Sequence, residues 1–443
     1  MTPATETSVH TFSPDFGEEA ASRGLSQMAS SMQASTILTI AGEIRELQAE
    51  GIPVANMTVG DFLPAQFPIP ADLAKGVQVA IQEGNTNYPP ATGLQELRAA
   101  VQQHVRRTQG LNYPIEAFTI VGGGRPSLYA TYRLLVDPGD CVLFPVPSWN
   151  NHNYRDACQV QVKGIQCSPE NAFQPTADLI RPHVQDARLL VLNTPQNPSG
   201  GVMPKEEVEA FGHLLVEENE RRKITGEKTF YLLFDQIYRS LVFKGYQHYS
   251  PVELVPECAP YVIHSDGISK GLCATGLRCG WVFGPPAITR KMTAFLTHIG
   301  AWSPKPVQVA VAKWLENEKG CQAWDAEMID RVQTRLDALY HGMEELRSEG
   351  LPLHFIAPQG AVYMSVQFRL EGKVTPDGTR LTDNDSIRSF LLQHAAFAVV
   401  PFRAFGVELE DEDGWCRVSV GAVSAKEIEE AIPRLRQALQ SLK

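Results

Sequence analysis

Short apolar segments alternate with helical segments along most of this 443-residue chain, and this alternation constrains the fold more than any other feature. The apolar segments are FTIVGG, CVLFPV, RLLVLN, YLLFD and YVIHSD, and each ends on a polar residue or a turn. Strands that are apolar on both faces and separated by helices are typical of a buried, mostly parallel sheet. The sequence therefore predicts an α/β fold with a mostly parallel sheet between layers of helices.

The two ends of the chain differ from this pattern. From about residue 320, a long amphipathic segment precedes the strand-like segments VYMSVQF, FAVVPF and WCRVSVG and a final helix. This order predicts a smaller α+β domain over residues 321–443, after a large domain over 65–320. Residues 1–30 have no periodicity and predict a flexible arm, whereas 31–64 predict a helix and a short strand that pack with the small domain.

Composition and charge argue against several classes of protein. A net charge of -11 is opposite to the basic surface that nucleic acid binds. No segment approaches the ~18 consecutive apolar residues of a membrane span, and the polar start MTPATETSVH lacks a signal core, so we expect a cytoplasmic protein with no membrane partner. The eight cysteines are irregularly spaced, which predicts buried free thiols rather than disulfides or a metal site.

Ligands of open parallel sheets bind beyond the carboxyl ends of the strands, so the residues that follow each strand are the candidates for a site. Lys270 follows the strand YVIHSD, and Arg278 comes eight residues later between Gly276 and Gly280. A lysine in a loop is ordinarily a solvated surface charge. Near a fixed positive charge and away from water it loses proton affinity and becomes nucleophilic, as a Schiff base with a carbonyl cofactor requires. The arginine would suit a phosphate.

Two further strand ends carry a carboxylate and an amide. Asp235 follows YLLF, where an aspartate is often only a cap or turn former. The alternative is a fixed carboxylate that keeps a pyridine nitrogen protonated and so strengthens the ring as an electron sink. Asn197 lies in the turn-forming loop NTPQNPSGG, and Pro195 and Pro198 on either side favour a fixed position for its amide.

The remaining strand ends carry glycines and an aromatic ring. Gly123, Gly124 and Arg125 follow the strand FTIV before a helix, where backbone N–H groups and the helix dipole bind phosphate, although such glycine turns are common. Trp149 follows CVLFPV, either as a core residue or as a ring that stacks on an aromatic ligand. Together, the five strand ends offer a partner for each part of pyridoxal 5'-phosphate (PLP).

The segments NTPQNPSG, DQIY and SKGLCATGLRCG, in this order, resemble the motifs of fold-type I PLP-dependent enzymes. Within that group the chain is similar to the class I/II aminotransferase family, which includes the aspartate aminotransferases, over roughly residues 35–440. The resemblance implies a ping-pong transfer of an amino group between an α-amino acid and a 2-oxo acid.

Two alternatives remain beside this function. One is another PLP reaction on the same fold, because a fold does not fix the reaction. The candidates are a C–S lyase, an elimination of the aminocyclopropane-carboxylate-synthase type, or an oxidase or annulase of specialised metabolism. A regulator that uses the domain as a ligand sensor is the other. It is disfavoured because the short acidic segment before Ala34 has no helix-turn-helix pattern.

The resemblance also implies roles for single residues. Lys270 would form the Schiff base and shuttle a proton, and Asp235 would pair with the ring nitrogen, with His152 supporting Asp235 from behind. Tyr238 and Asn197 would hydrogen-bond the ring hydroxyl. The full implied cofactor-binding set is Gly123, Gly124, Arg125, Trp149, Asn197, Asp235, Tyr238, Ser269, Lys270, Arg278 and Tyr88.

Substrate binding is implied in the same way. Arg417 would clamp the substrate α-carboxylate, and Gly60, Trp149 and Asn197 would line the substrate pocket. Tyr88 would reach the phosphate of the neighbouring subunit, which implies a homodimer with shared active sites. The implied catalytic residues are Lys270, Asp235 and Tyr238.

Two positions depart from the family pattern. Gly267 stands three residues before Lys270, where the family usually has a phosphate-binding serine, and we expect Arg125 to compensate. Ile299, in HIGAWSPKPVQ, stands where dicarboxylate-specific members have an arginine that the partner subunit receives, and His298 and Lys305 lie nearby. We therefore expect that aspartate and glutamate are not recognised by the usual pair of arginines.

Overall fold

The computed structural model describes residues 9–32 and 36–443. Its strands are β1 Ala55–Asn56, β2 Phe118–Val121, β3 Cys141–Val146, β4 Gln161–Gln166, β5 Ala187–Asn193, β6 Tyr231–Asp235, β7 Val262–Gly267, β8 Gly280–Phe283, β9 Leu353–Ile356, β10 Tyr363–Phe368, β11 Phe397–Ala398, β12 Val400–Pro401 and β13 Trp415–Ser419. Its α-helices are α1 Glu18–Gly24, α2 Gln27–Ser31, α3 Thr36–Ala49, α4 Ala71–Gln82, α5 Gln95–Gln109, α6 Gly124–Leu135, α7 Tyr154–Cys158, α8 Ala177–Ile180, α9 Lys205–Thr225, α10 Pro251–Leu254, α11 Ile268–Gly271, α12 Pro286–His298, α13 Lys305–Glu316, α14 Glu318–Ser348, α15 Asn384–Ala395 and α16 Ala425–Ser441.

A seven-stranded sheet in the order β2-β8-β7-β6-β5-β3-β4 forms the centre of the larger part. Its strands are parallel except β8, which runs antiparallel to both β2 and β7. Alternate residues of a strand face opposite sides of a sheet. In β5, Leu190 belongs to the apolar cluster that includes residues of α5, α9 and α13, whereas Leu189 belongs to a second cluster that includes residues of α6 and α12. The predicted α/β fold with a mostly parallel sheet between helices is confirmed.

A second, antiparallel sheet in the order β12-β13-β10-β9 lies in the C-terminal part. The N-terminal segment joins it through β1, which pairs in parallel with β11. Ile40 and Ile44 of α3 pack against Leu392 and Ala398 of the same region. These contacts place 36–64 beside the C-terminal part, while the domain boundaries themselves remain a prediction.

Several predicted elements differ in detail. Residues 9–30 of the predicted arm are mostly exposed but include α1 and most of α2, which begins where the Ser26 hydroxyl accepts a hydrogen bond from the Ala29 amide. The first eight residues of that arm lie outside the described residues. The segment FAVVPF forms two strands because β11 pairs with β1 and β12 pairs with β13.

The eight cysteines are free thiols, of which seven are buried and Cys141 is partly buried. Among the helices in the described ranges, none combines the length and the apolar composition that crossing a membrane requires.

The small sheet and the N-terminal segment meet next to the carboxyl ends of the large sheet. Gly421, which follows β13, is so close to the N-terminal segment that an added Cβ would overlap the Asp61 carbonyl oxygen. The Leu63 amide donates to the Gly421 carbonyl at 2.9 Å. A side chain at this position would therefore displace the backbone around Asp61.

We predict that Gly421→Ala lowers the free energy of unfolding by about 1–3 kcal/mol, since overpacking forces backbone shifts of that cost. The control is Gly42→Ala within α3, where an added Cβ meets nothing within 4 Å and where alanine favours the helix. Denaturant titration measures both variants. Equal stability of Gly421→Ala and the unmodified protein would contradict the close approach.

Candidate active site

A cavity of about 400 Å³ lies at the carboxyl ends of the large sheet, between that sheet and the N-terminal segment. The predicted residues that line it are Gly60, Gly124, Arg125, Trp149, Asn197, Asp235, Tyr238, Ser269, Lys270 and Arg278. Asp61, Leu128, Asn193 and Ile237 also line it and were not predicted. The ends of β2, β3, β5, β6 and β7 thus converge on one cavity, as parallel strands allow.

Lys270 lies in the short helix that follows β7, with its amine at the cavity wall. Its Nζ donates to the Gly60 carbonyl at 2.5 Å and lies 5.6 Å from the centroid of the Tyr238 ring. Burial lowers the pKa of Lys270 to about 8, against the opposing effect of the Asp61 carboxylate and with a smaller lowering by the Arg417 charge. The amine is thus closer to its neutral, nucleophilic form at physiological pH than an exposed lysine.

Asp235 ends β6 and is buried at the floor of the cavity. Among the described residues, its carboxylate accepts one hydrogen bond, from the Ile237 amide at 3.2 Å. Burial raises the pKa of Asp235 to about 7, and the neighbouring Asp266 charge adds to this. A buried carboxylate with a single neutral donor is costly, and a cation at this point would lower that cost.

The loop after β5 is tied to the end of β6 through Asn193. The Asn193 side chain donates to the Asp235 backbone carbonyl at 2.9 Å and accepts from the Asn197 amide at 2.8 Å. Across the loop, the Gln196 backbone N–H donates to the Gly201 backbone carbonyl. These bonds tie the Asn197 backbone, through Asn193, to the residue that ends β6.

The glycine turn before α6 and the guanidinium of Arg278 meet at one end of the cavity. Arg278 donates to the Gly122 carbonyl at 2.8 Å and to the Thr275 carbonyl at 2.6 Å. Gly123 has φ +88°, and an added Cβ would overlap the Arg278 guanidinium. Glycine is therefore required for the arginine to reach the first turn of α6, where N–H groups and a cation together favour an anion.

Arg125 lies at the same end of the cavity, against Trp149. Its guanidinium carbon is 4.7 Å from the centroid of the Trp149 ring. A cation over an indole face is a favourable contact, and it fixes the Arg125 side chain at the cavity wall. The pair lines the same cavity as Ser269 and Lys270.

The departure at Gly267 has a steric reason. Gly267 pairs with Gly280 where β7 and β8 run antiparallel. An added Cβ at Gly267 would lie 2.7 Å from the Gly280 Cα and 2.8 Å from the Cys279 carbonyl oxygen. Serine does not fit at this position unless the backbone moves.

Arg417 of β13 does not line the cavity itself but lies behind two of its lining residues, Gly60 and Asn197. Its guanidinium donates to the Asn197 Oδ1 at 3.0 Å and to the Thr58 carbonyl at 2.5 Å. Its Nε has no hydrogen-bond partner among the described residues. Only 1% of Arg417 is exposed, so an anion bound here would meet a cation shielded from water.

Tyr363 is a residue that the sequence analysis missed. Its hydroxyl lies 2.5 Å from the Tyr238 hydroxyl, and its ring lies 4.7 Å from the Arg417 guanidinium. Within the strand-like segment VYMSVQF a tyrosine is indistinguishable from a core residue, so no local signal marks it.

The expected support of Asp235 by His152 is not found. No hydrogen bond joins the two side chains, and the His152 Nδ1 has no partner among the described residues. His152 instead packs against Gly406, close enough for an added Cβ there to lie 3.3 Å from its Nδ1. The charged groups that act on Asp235 are Lys270 and Asp266, and Asp266 pairs with Arg239 at 2.7 Å.

The residues expected to act across a dimer lie outside this cavity. Tyr88 is 80% exposed, and its ring packs edge-on against Trp302 at 5.1 Å. Ile299 is 49% exposed. Lys305 donates to the Asn87 side chain at 2.7 Å, so its amine already has a partner within the chain.

Comparison with known proteins matches this chain, over residues 52–435, to the family model described as aminotransferase class I and II. The chain is 30% identical to the aspartate/prephenate aminotransferase of Thermus thermophilus over 391 residues, which cover 87% of this chain and 93% of that protein. The crystal structure of the aspartate aminotransferase from Rhizobium meliloti superposes with a TM-score of 0.85 and 26% identity, over 95% of this chain and 99% of that one. The structure of the aspartate aminotransferase from Thermus thermophilus with maleate superposes with a TM-score of 0.81 and 27% identity, over 94% of this chain and 100% of that one.

If Lys270 is the residue that reacts with PLP, the cofactor-free protein should react at a rate that rises with pH around a midpoint near 8, because burial lowers the pKa of this amine to about 8. Stopped-flow absorbance at a series of pH values measures this rate. A midpoint near the ordinary lysine pKa of about 10.4 would contradict the environment assigned to Lys270.

Proposed function

Since this chain belongs to the aminotransferase class I and II family and is an aminotransferase, we propose that its cofactor is PLP, held covalently by Lys270 in the described cavity. In this proposal the enzyme moves an amino group between an α-amino acid and a 2-oxo acid. The observation that carries it is that one cavity joins a buried lysine amine, a buried carboxylate and a glycine–arginine turn.

The residues of the cavity fit the chemical groups of this cofactor. The first turn of α6 with Arg278 suits the phosphate, because backbone N–H groups and a guanidinium converge there. Asp235 suits a protonated ring nitrogen, since its buried carboxylate has one neutral donor and a raised pKa. Trp149 suits the face of the ring, and the Tyr238 hydroxyl suits the ring hydroxyl.

When bound, PLP supplies an electron sink for the electron pair left when the substrate loses its Cα proton. The chain's own residues do the rest. The Asp235 carboxylate would hold a proton on the ring nitrogen, and the Lys270 amine would take the proton from the substrate Cα and deliver it to the C4' carbon of the cofactor. Asn197 and Tyr238 hold the ring in one orientation, so that Lys270 stays on one face.

Arg417 orients the substrate. Its two terminal nitrogens form a fork that matches a carboxylate, and its burial strengthens that contact. Asn197 Oδ1 and the Thr58 carbonyl fix the direction of the fork. We therefore propose that Arg417 binds the α-carboxylate, and that Gly60 leaves room for it, because an added Cβ there would lie 3.3 Å from the Arg417 Nη1.

We further propose that the active unit is a cytoplasmic homodimer in which Tyr88 contributes to the neighbouring subunit's phosphate site. Its 80% exposure within one chain leaves the hydroxyl free to serve a second copy. The distal end of the substrate would then meet the Ile299 region, which offers an apolar side chain rather than a guanidinium. This surface favours amino acids other than aspartate and glutamate.

We predict that the PLP-loaded enzyme, mixed with a good amino donor and no oxo acid, loses its yellow absorbance and retains the amino form of the cofactor. A panel containing alanine, phenylalanine, aspartate and glutamate ranks the donors, and aspartate is expected to react poorly. A lyase or oxidase would restore the yellow band and release its product without an acceptor. Rapid bleaching by aspartate that is insensitive to Lys305→Ala and His298→Ala would contradict the altered recognition.

In the same assay Lys270→Ala is expected to bind PLP without covalent attachment and to lose activity by roughly 10³-fold or more, because proton transfer alone contributes about 10²–10⁴-fold. Lys244→Ala, at an exposed lysine, is the matched control. Covalent attachment of PLP in Lys270→Ala would refute the assignment.

We predict that Arg125→Ala raises the Kd of PLP by about tenfold, as loss of one charge-assisted hydrogen bond to the phosphate would. Arg133→Ala on the exposed side of the same helix is the control. Equilibrium dialysis with cofactor-free protein measures both. An unchanged Kd would show that Arg125 does not replace the serine absent at Gly267.

A further inference from the structure

Two buried tyrosines from different parts of the fold meet beneath the cavity. Tyr238 follows β6 of the large sheet, and Tyr363 begins β10 of the small sheet. Their hydroxyl oxygens are 2.5 Å apart, and their rings are 5.6 Å apart at 72°. Neither hydroxyl has another hydrogen-bond partner among the described residues. Burial raises the pKa of both phenols, so both carry their hydrogens at neutral pH.

The two hydroxyls of this pair have one hydrogen that their shared hydrogen bond does not use. Two hydroxyls that share one hydrogen bond use one of their two hydrogens. Tyr238 lines the cavity, whereas Tyr363 does not. Either oxygen can be the donor of the shared bond, and the Tyr238 hydrogen remains for a group bound in the cavity when Tyr363 is that donor.

The surroundings of Tyr363 fix its ring and its hydroxyl separately. The Arg417 guanidinium lies over the ring face at 4.7 Å. The hydroxyl passes beside Gly60, where an added Cβ would lie 3.1 Å from it.

We propose that Tyr363 is a positioning residue: its O–H donates to the Tyr238 oxygen and thereby orients and strengthens the hydrogen bond that Tyr238 donates to the ring hydroxyl of the cofactor. Hydrogen bonds in a chain polarise one another, so the outer bond strengthens the inner one. This inference rests on the proposed function, since it requires PLP in the cavity.

The proposal has a spectroscopic consequence that packing alone does not have. The bond from Tyr238 competes for the ring oxygen with the proton of the Lys270 linkage, and it lowers the pH at which that proton leaves. Weakening the bond raises that pH. The visible band of the loaded enzyme changes colour in the same titration and reports it without turnover.

The experiment is a pH titration of the visible band in four PLP-loaded proteins: wild type, Tyr363→Phe, Tyr238→Phe and the double variant. We expect Tyr238→Phe to raise the midpoint by about one pH unit, as loss of one neutral hydrogen bond would. Tyr363→Phe should raise it by about 0.3 pH unit or more through lost cooperativity and orientation. The double variant should match Tyr238→Phe, because Tyr363 then has nothing to relay to.

Tyr363→Leu separates the two contacts of Tyr363. It removes the ring face under Arg417 as well as the hydroxyl, so the KM for the amino donor should rise by several-fold, whereas Tyr363→Phe should leave that KM nearly unchanged. Thermal unfolding checks that each variant is folded. If Tyr363→Leu does not fold, the pH midpoints of Tyr363→Phe and Tyr238→Phe still test the proposal.

A midpoint for Tyr363→Phe equal to that of wild type, or shifts that add in the double variant, would overturn the proposal and leave the proposed function intact. A wild-type protein that takes up PLP without a covalent visible band would overturn the proposed function, and the inference with it.

Discussion

The guanidinium of Arg417 is buried with no carboxylate partner among the described residues, and the arrangement of the site depends on how it is held. It donates hydrogen bonds to the Thr58 carbonyl in the N-terminal segment and to the Asn197 Oδ1 in the large part. The rings of Tyr363 and Phe405 also lie against it. One cation thus joins three parts of the chain at one wall. Because a buried charge without a counter-charge is costly, a bound carboxylate completes the arrangement.

The same low-dielectric surroundings adjust the two titrating groups of the cavity. Burial brings the pKa of Lys270 down to about 8 and that of Asp235 up to about 7, so both lie near neutrality. Groups whose environments move their pKa values towards the working pH are typical of proton-transfer sites. The net charge of -11 does not describe this cavity, where Arg125 and Arg278 add positive charge beside the glycine turn.

The central part of the fold and most of the cavity could be predicted from the sequence, because short apolar strands and the polar residues after them are local features. Lys270 and Asp235 were found in this way. Tyr363 was not, since its partner lies 125 residues away on another sheet. Gly267 has no room for a side chain because β7 and β8 pair in antiparallel directions. The composition of a strand does not reveal its direction, so the sequence could not predict this restriction. The expected contact between His152 and Asp235 was not found, because motif spacing does not show how a loop packs.

The central claim is that the Lys270 amine carries the cofactor. Reduction of the PLP-loaded protein with borohydride, followed by proteolysis and mass spectrometry, tests it directly because reduction fixes the cofactor to the nitrogen that holds it. The account predicts one phosphopyridoxyl group per chain, on Lys270. A label on another lysine, or no label on a protein that has bound PLP, would contradict it.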